Sequence, residues 1–435
     1  MKKINYTFLF LLAASTASAQ RPVPAKPQSK SILLMNGVAH IGNGTVIENS
    51  VIGLKEGKIV LVADARTVRI QPTAWDTTIN ISGKHVYPGI IASNTTLGLV
   101  ETESVRATRD FAEVGAFNPH IRSIIAYNTD SKVIPTARMN GVLMAQVTPR
   151  GGRICGSSSV MELDGWNWED AAHKTDDGIH LNWPAVISRN FSDDGPGPFE
   201  KNKNYDSNLG EVEKFFTEAK AYCENVRPDE KNLRFEAMRG VFAGTQTLFI
   251  HADYVKEISE AVIFSKRLNI KKMVIVGGRD SWQCTALLKE NNIPVMLGRT
   301  HDLPANADAD VDQPFKTPYL LQKAGVLFCI QNEGDMEAPG TRNIPFLAGT
   351  TAAYGLTKEE ALAAITGNVA RILGIDDKTG TLQEGKDATL FVSTGDALDM
   401  RTNNVEWAFI RGKKLQLTSE QTELYHMYMK KYGKE

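Results

Sequence analysis

Four short apolar segments recur along the middle of the chain: QTLFIH (246–251), MVIVGG (273–278), PVMLG (294–298) and VLFCIQ (326–331). They are apolar throughout rather than alternating, as strands covered on both faces must be. Their spacing of about twenty to thirty residues is what one strand plus one crossover helix occupies. ADYVKEISEAVIFSKRLN, between the first two, carries Val255, Ile258, Val262 and the pair Ala261 and Leu268 at helical spacing, with Asp253 placed to cap. SWQCTALLKENN, between the next two, reads as a second short amphipathic helix. Repeated β-α units of this kind predict an α/β fold built on a parallel sheet, open or closed into a barrel. A last helix is predicted from Lys358 to about Leu373, opened by the capping box Thr357-x-x-Glu360 and closed at Gly374.

The two ends follow another rhythm. SILLMNGVAHIG, SVIGLKEGKIVLVA, VRIQ and TTINISGKHVYPG are short strand signals separated by glycine turns, and Glu56-Gly57 sits where a hairpin turns. The same signature returns in GTLQEGKDATLFVS and VEWAFIRGKKLQL. The simplest reading is a small antiparallel β-sandwich assembled from both chain ends, residues 31–87 and 379–418, with the barrel (88–378) inserted and a tail at 419–435. Residues 190–232 leave the β-α rhythm as an excursion, the loop SDDGPGPFEKNKN followed by a helix around Glu211–Glu224.

Residues 1–19 read as a signal peptide. Lys2 and Lys3 precede a short apolar run, and Ala17-Ser18-Ala19 offers a small-x-small cleavage pattern, so export to the periplasm or exterior is expected. A flexible proline-rich leader, 20–30, follows. The run is shorter than the ~20 residues a membrane span needs, and no cysteine stands at the cleavage point, so no membrane anchoring is expected. The 49 basic and 50 acidic residues nearly cancel, which argues against nucleic acid and anionic membranes as partners. Cys155, Cys223, Cys284 and Cys329 lie far apart with no CxxC. Cys284 and Cys329 sit in apolar segments and read as buried thiols; the pairing of any disulfide stays open.

In a closed parallel barrel the functional groups stand at the carboxyl ends of the strands. That rule selects Ser93–Thr96, His251 with Asp253, Gly277 and Gly278, Arg299, and Glu333 after Gln331 and Asn332. Glu333 has a structural alternative as an ion-pair partner of Arg342 or Arg299. The loop PRGGRICGSSS (149–159) could present backbone N–H groups to an anion or simply turn tightly. Trp166 and Trp168 read as a pocket wall or as packing on the rim. His301-Asp302 is expected in a surface loop. His40, His85, His173, His180 and His426 are placed in sandwich, loop or tail and given no role, and His120 is left undecided.

These residues carry a resemblance. VYPGIIASNTT is similar to the first barrel strand of the amidohydrolase superfamily, and IHAD to its fifth-strand histidine. NIPFLAGTTAAYGLTKEEALAAITGNVARILGI and GTLQEGKDATLFV resemble its last helix and return to the small sheet. Gly151-Gly152 to Ser157 and Leu163 to Asp170 resemble the exported, imidazolonepropionase-like branch. The resemblance implies a TIM-like (β/α)8 barrel whose eighth-strand aspartate aligns best with Glu333, with Asp335 a close rival, and hydrolysis of non-peptide carbon–nitrogen bonds in cyclic amides or dipeptide-like small molecules. It also implies a divalent metal, zinc in the family, here held by His251, Glu333 and Asn94, with Glu333 also the catalytic proton acceptor. Asn94 and Thr96 stand where the family places His-x-His, and Gly277 or Gly278 where a sixth-strand histidine is common. Neutral amide and hydroxyl oxygens are poor substitutes for imidazole toward zinc, so weakened or absent metal binding is expected, with calcium or magnesium suited to the oxygen-rich remainder. The alternative is a non-catalytic small-molecule binder, or a subunit paired with an active homologue. A homodimer is the other expected assembly.

Overall fold

The computed structural model describes residues 23–192, 195–225, 228, 230–304 and 309–434. The expected signal peptide and the start of the leader lie outside the described residues.

The chain opens with strands β1 (Ile32–His40), β2 (Val46–Lys55), β3 (Lys58–Asp64), β4 (Thr77–Asn80) and β5 (His85–Pro88). Its end returns as β16 (Leu390–Ser393), β17 (Val405–Ile410) and β18 (Lys413–Lys414). All eight join one sheet, in the order β18-β17-β16-β5-β1-β2-β3 with β4 beside β1. Thus both ends meet, as expected, through the antiparallel β16–β5 pair. The sheet is mixed, however: β4 and β5 run parallel to successive halves of β1, and the expected strand VRIQ is irregular. Leu34, Ile52, Ile59, Val86, Leu390 and Phe409 pack in one core of this sheet.

The second sheet runs through β6 (Ile90–Thr95), β7 (Val142–Val147), β8 (Ile154–Glu162), β9 (Ala172–Asn182), β12 (Thr247–Ala252), β13 (Met273–Gly277), β14 (Val295–Leu297) and β15 (Phe328–Ile330). The excursion at 190–232, absent from this order, opens with a separate hairpin, β10 (Ile187–Ser192) with β11 (Gly195–Lys201), where a loop was expected. The helix Tyr205–Glu224 follows. Ile91, Met144, Val160, Phe249, Val276, Met296 and Cys329, one from each of seven strands, share an interior core, so the sheet curls round as a TIM-like barrel. β6 and β15 are not paired directly. Instead the carbonyls of Ile365 and Ala364 accept the N–H groups of Ile91 and Ile330 at 3.0 and 3.1 Å.

This bridge explains one departure. The single expected helix is two, Lys358–Ala363 and Gly367–Leu373, although its capping box and its left-handed Gly374 are as expected. Thr366 leaves helical geometry at φ −135 and ψ −92, which turns the chain where the Ala364 and Ile365 carbonyls meet the barrel strands. A second departure is β8, which is antiparallel to both β7 and β9. Only residues 148–153 link β7 to β8, whereas a parallel crossover needs about a dozen. A chain turning at Gly151 and Gly152, both at positive φ, can only reverse. That turn lies at the carboxyl end of β7 and brings Arg150 to the barrel mouth. The segment read as a loop over 149–159 is therefore a strand from Ile154 onward.

A candidate active site at the barrel mouth

Asn94, in the last turn of β6, is fully buried at φ +49, a left-handed conformation that Asn tolerates better than most residues. Its Nδ2 donates to Glu333 Oε2 at 2.8 Å, and its Oδ1 accepts from Arg150 Nη1 at 2.9 Å. This amide orientation is forced by charge: reversal would set oxygen against a carboxylate and NH2 against a guanidinium. Arg150 Nη2 also donates to the Asn94 carbonyl at 2.8 Å and to Glu337 Oε1 at 2.7 Å. The Thr96 N–H donates to the same Glu337 oxygen at 2.7 Å.

His251, at the end of β12, has its Nδ1 3.9 Å from Glu333 Oε2. Asn94, His251 and Glu333 therefore converge on one mouth, although Glu333 partners Asn94 rather than the arginines weighed from sequence. On its other side, His251 Nε2 faces His180 Nδ1 at 3.0 Å. His180, which sequence reasoning set aside, belongs to barrel strand β9 and is fully buried, stacked on Phe249. Its signal was available: DGIHLN precedes the β-α repeats and is another barrel strand ending in polar residues. Asp253 also departs from expectation. The helix Val255–Arg267 is capped by Glu257, which accepts the Asp253 and Tyr254 N–H groups. Asp253 turns instead to the mouth, where Oδ1 accepts the Arg279 N–H at 3.3 Å. Gly277 has φ +90, and a Cβ there would stand 2.6 Å from Asp253 Oδ1 and 3.5 Å from Glu333 Oε1, so the two carboxylates face one notch.

Two cavities adjoin at Glu333 and Gly334. One, of about 300 Å³, reaches Asp253, Arg279, Arg299 and Asp302. The other, of about 410 Å³, reaches Thr96, Arg109, Arg150 and His251. Trp166 is exposed, outside both, and Trp168 packs against the barrel core. His301 hydrogen-bonds Thr350 while its neighbour Asp302 lines the first cavity. Burial, and next the charge of Asp253, push the Glu333 carboxyl up to about 7, although 30 % of its side chain is reachable from the cavities. Burial followed by Arg150 holds His251 down to about 3, and burial takes His180 well below the ordinary imidazole value. Both imidazoles are neutral at physiological pH.

These donors do not fit a catalytic zinc, which takes about three imidazole, thiolate or carboxylate ligands around one point. The two nitrogens of His251 face opposite partners, so His180 and Glu333 cannot share a metal with one His251 nitrogen. Asn94 offers its NH2 toward Glu333, and the Arg150 guanidinium brings a positive charge where a cation would sit. Among the described residues no three His, Cys, Asp or Glu side chains are grouped to hold an ion.

A barrel with its polar residues at the strand ends, joined to a small sheet built from both termini, frames the site. The Amidohydrolase family profile matches residues 323–415. Over that segment the chain is similar to the Amidohydrolase family, and over most of its length it is similar to imidazolonepropionases. It is 22 % identical over 384 residues to the imidazolonepropionase of Mesorhizobium japonicum, covering 82 % of this chain and 89 % of that one. The amidohydrolase structure from Thermotoga maritima superposes with a TM-score of 0.76 at 22 % identity, over 88 % of this chain and 99 % of that one. An adenosine deaminase from Xanthomonas campestris, solved with bound zinc, superposes at 0.54 and 15 % identity, over 94 % and 98 %.

Proposed function

We propose that this protein hydrolyses non-peptide carbon–nitrogen bonds of small molecules, cyclic amides of the imidazolone kind or dipeptide-like compounds, without a catalytic zinc. The reading is carried by Glu333, a carboxyl at the seam of two cavities whose proton affinity, about 7, suits both acceptance and return of a proton at neutral pH. Glu333 takes a proton from water as the water oxygen bonds to the carbonyl carbon. It then returns that proton to the nitrogen as the carbon–nitrogen bond breaks. Arg279 and Arg299 line the cavity of about 300 Å³ beside Glu333 and suit a substrate carrying a carboxylate.

A second reading, ligand binding without turnover, alone or beside an active homologue, is favoured by the Asn94 amide already seated on Glu333 Oε2. The exported, periplasmic location belongs to the same proposal, supported by the leader sequence and by the lack, among described residues, of a helix long and apolar enough to cross a membrane. So does a fold of the small sheet from both chain ends into a sandwich, supported by the core that its two ends share.

The test is hydrolysis of a panel of hydantoins, imidazolones and dipeptides by the purified chain, with and without chelator, alongside metal analysis and Glu333→Gln. Turnover that survives chelation and is lost in Glu333→Gln is expected. Turnover that needs stoichiometric zinc overturns the metal-free mechanism, and saturable binding without turnover selects the second reading.

A further inference from the structure

Behind the mouth lies a chain of hydrogen bonds whose direction can be fixed from a group that can only donate. The Asn94 backbone N–H donates to Gln146 Oε1 at 3.1 Å, which settles the orientation of that amide. Gln146 Nε2 therefore donates twice, to Asp177 Oδ2 at 2.8 Å and to Ser158 Oγ at 3.2 Å. Ser158 has one proton, and it goes to Asp177 Oδ1 at 2.7 Å. The remaining lone pair of Ser158 faces His180 Nε2 at 2.9 Å, so that nitrogen carries a hydrogen. A neutral imidazole has one N–H, which leaves His180 Nδ1 an acceptor. Its neighbour at 3.0 Å, His251 Nε2, must then donate. His251 Nδ1 is left as a bare lone pair, 3.9 Å from Glu333 Oε2.

We propose that Asp177, buried behind the barrel mouth, is a positioning residue that fixes both histidines as Nε2–H tautomers and turns the His251 Nδ1 lone pair toward Glu333. The space between two acceptors at 3.9 Å is a seat for a hydrogen-bond donor, and the chemical class that fits is a small molecule with an amide, imide or urea N–H. Gln146, Ser158 and, at longer range, Lys174 are the groups that face the Asp177 carboxyl. Its value is raised to about 6 by burial, so above that pH it accepts from Ser158 as the relay requires. His180 meets Ser158, His251 and the ring of Phe249, with Arg150 the nearest cation acting on it. No part of the relay depends on turnover. The ligand seat rests on the hydrolase reading of the same mouth, and a tautomer measurement fails or succeeds without it.

The experiment is nitrogen NMR of the full chain with labelled histidine, at pH 8, with His180 and His251 assigned through His180→Gln and His251→Gln. Two neutral rings protonated at Nε2 are expected, and His251 protonated at Nδ1 overturns the relay. Asp177→Asn replaces an acceptor facing two donors by an amide, and one or both rings are expected to shift proton occupancy toward Nδ1. Ser158→Ala is the second variant, and unchanged tautomers in both, with native circular dichroism, overturn the role of Asp177. Adding 2-imidazolidinone is expected to shift His251 Nδ1, whereas 1,3-dimethyl-2-imidazolidinone, the same ring without N–H, is not. Equal shifts by both compounds, or none by either, overturn the seat.

Discussion

Arg150→Met is the perturbation with the most structure behind it. The arginine makes three short hydrogen bonds, to Asn94 Oδ1 at 2.9 Å, the Asn94 carbonyl at 2.8 Å and Glu337 at 2.7 Å. Its side chain is 21 % exposed and that of Glu337 only 9 %, so the pair is largely shielded from water. Removing one partner of a buried pair costs roughly 3–5 kcal/mol, mostly because the other charge is left uncompensated. Partial access of water to Arg150 places this case at the lower end, about 3 kcal/mol. The penalty has a pH signature. Burial already raises the Glu337 carboxyl, and loss of Arg150 raises it further. A raised carboxyl means the folded state binds more protons than the unfolded one, so stability is lost as pH rises through the folded value. Urea unfolding of Arg150→Met should therefore show its full deficit at pH 8 and a shrinking one as acid protonates Glu337, which then needs no counter-charge. A variant within about 0.5 kcal/mol of the parent at pH 8, or a deficit that does not change with pH, would refute the argument.

Three further outcomes follow from the same mouth and core. Glu333 accepts a proton only as its carboxylate, so kcat/KM should rise to a plateau above about 7, and be about thirty-fold lower at pH 5.5; a flat profile in the parent excludes it as the base. Gly277→Ala puts a methyl 2.6 Å from Asp253 Oδ1 at φ +90, and should destabilise by about 1–3 kcal/mol while blocking ligand binding; unchanged affinity by calorimetry would show that ligands avoid the notch. Cys155 and Cys284 are pushed up to about 11 and Cys329 to about 12 by burial, so a disulfide reagent at pH 8 should label Cys223 first and all four free thiols only in urea.

Much of the fold was legible from local pattern. Covered strands must be apolar on both faces, and each crossover consumes a helix, so the segments at 246–331 announced a parallel β-α sheet. The reversal at β8 was equally open to reading, since residues 148–153 are too few to cross the sheet. The position of His251 and Glu333 at strand ends followed from barrel geometry. What Asn94, Arg150, Asp253 and His180 do there did not. The side chain of Asn94 is oriented by a carboxylate 239 residues away and a guanidinium 56 residues away. Asp253 looked like a helix cap until Glu257 took that task, and His180 gained its partner only when β9 paired with β12. Periodicity is a property of neighbours along the chain, whereas hydrogen-bond direction and pKa depend on groups that strand order and register bring together. The sequence alone determined the β-α plan and the strand-end places of His251 and Glu333, and only the tertiary structure decided how the sheet closes and which polar groups meet in its mouth.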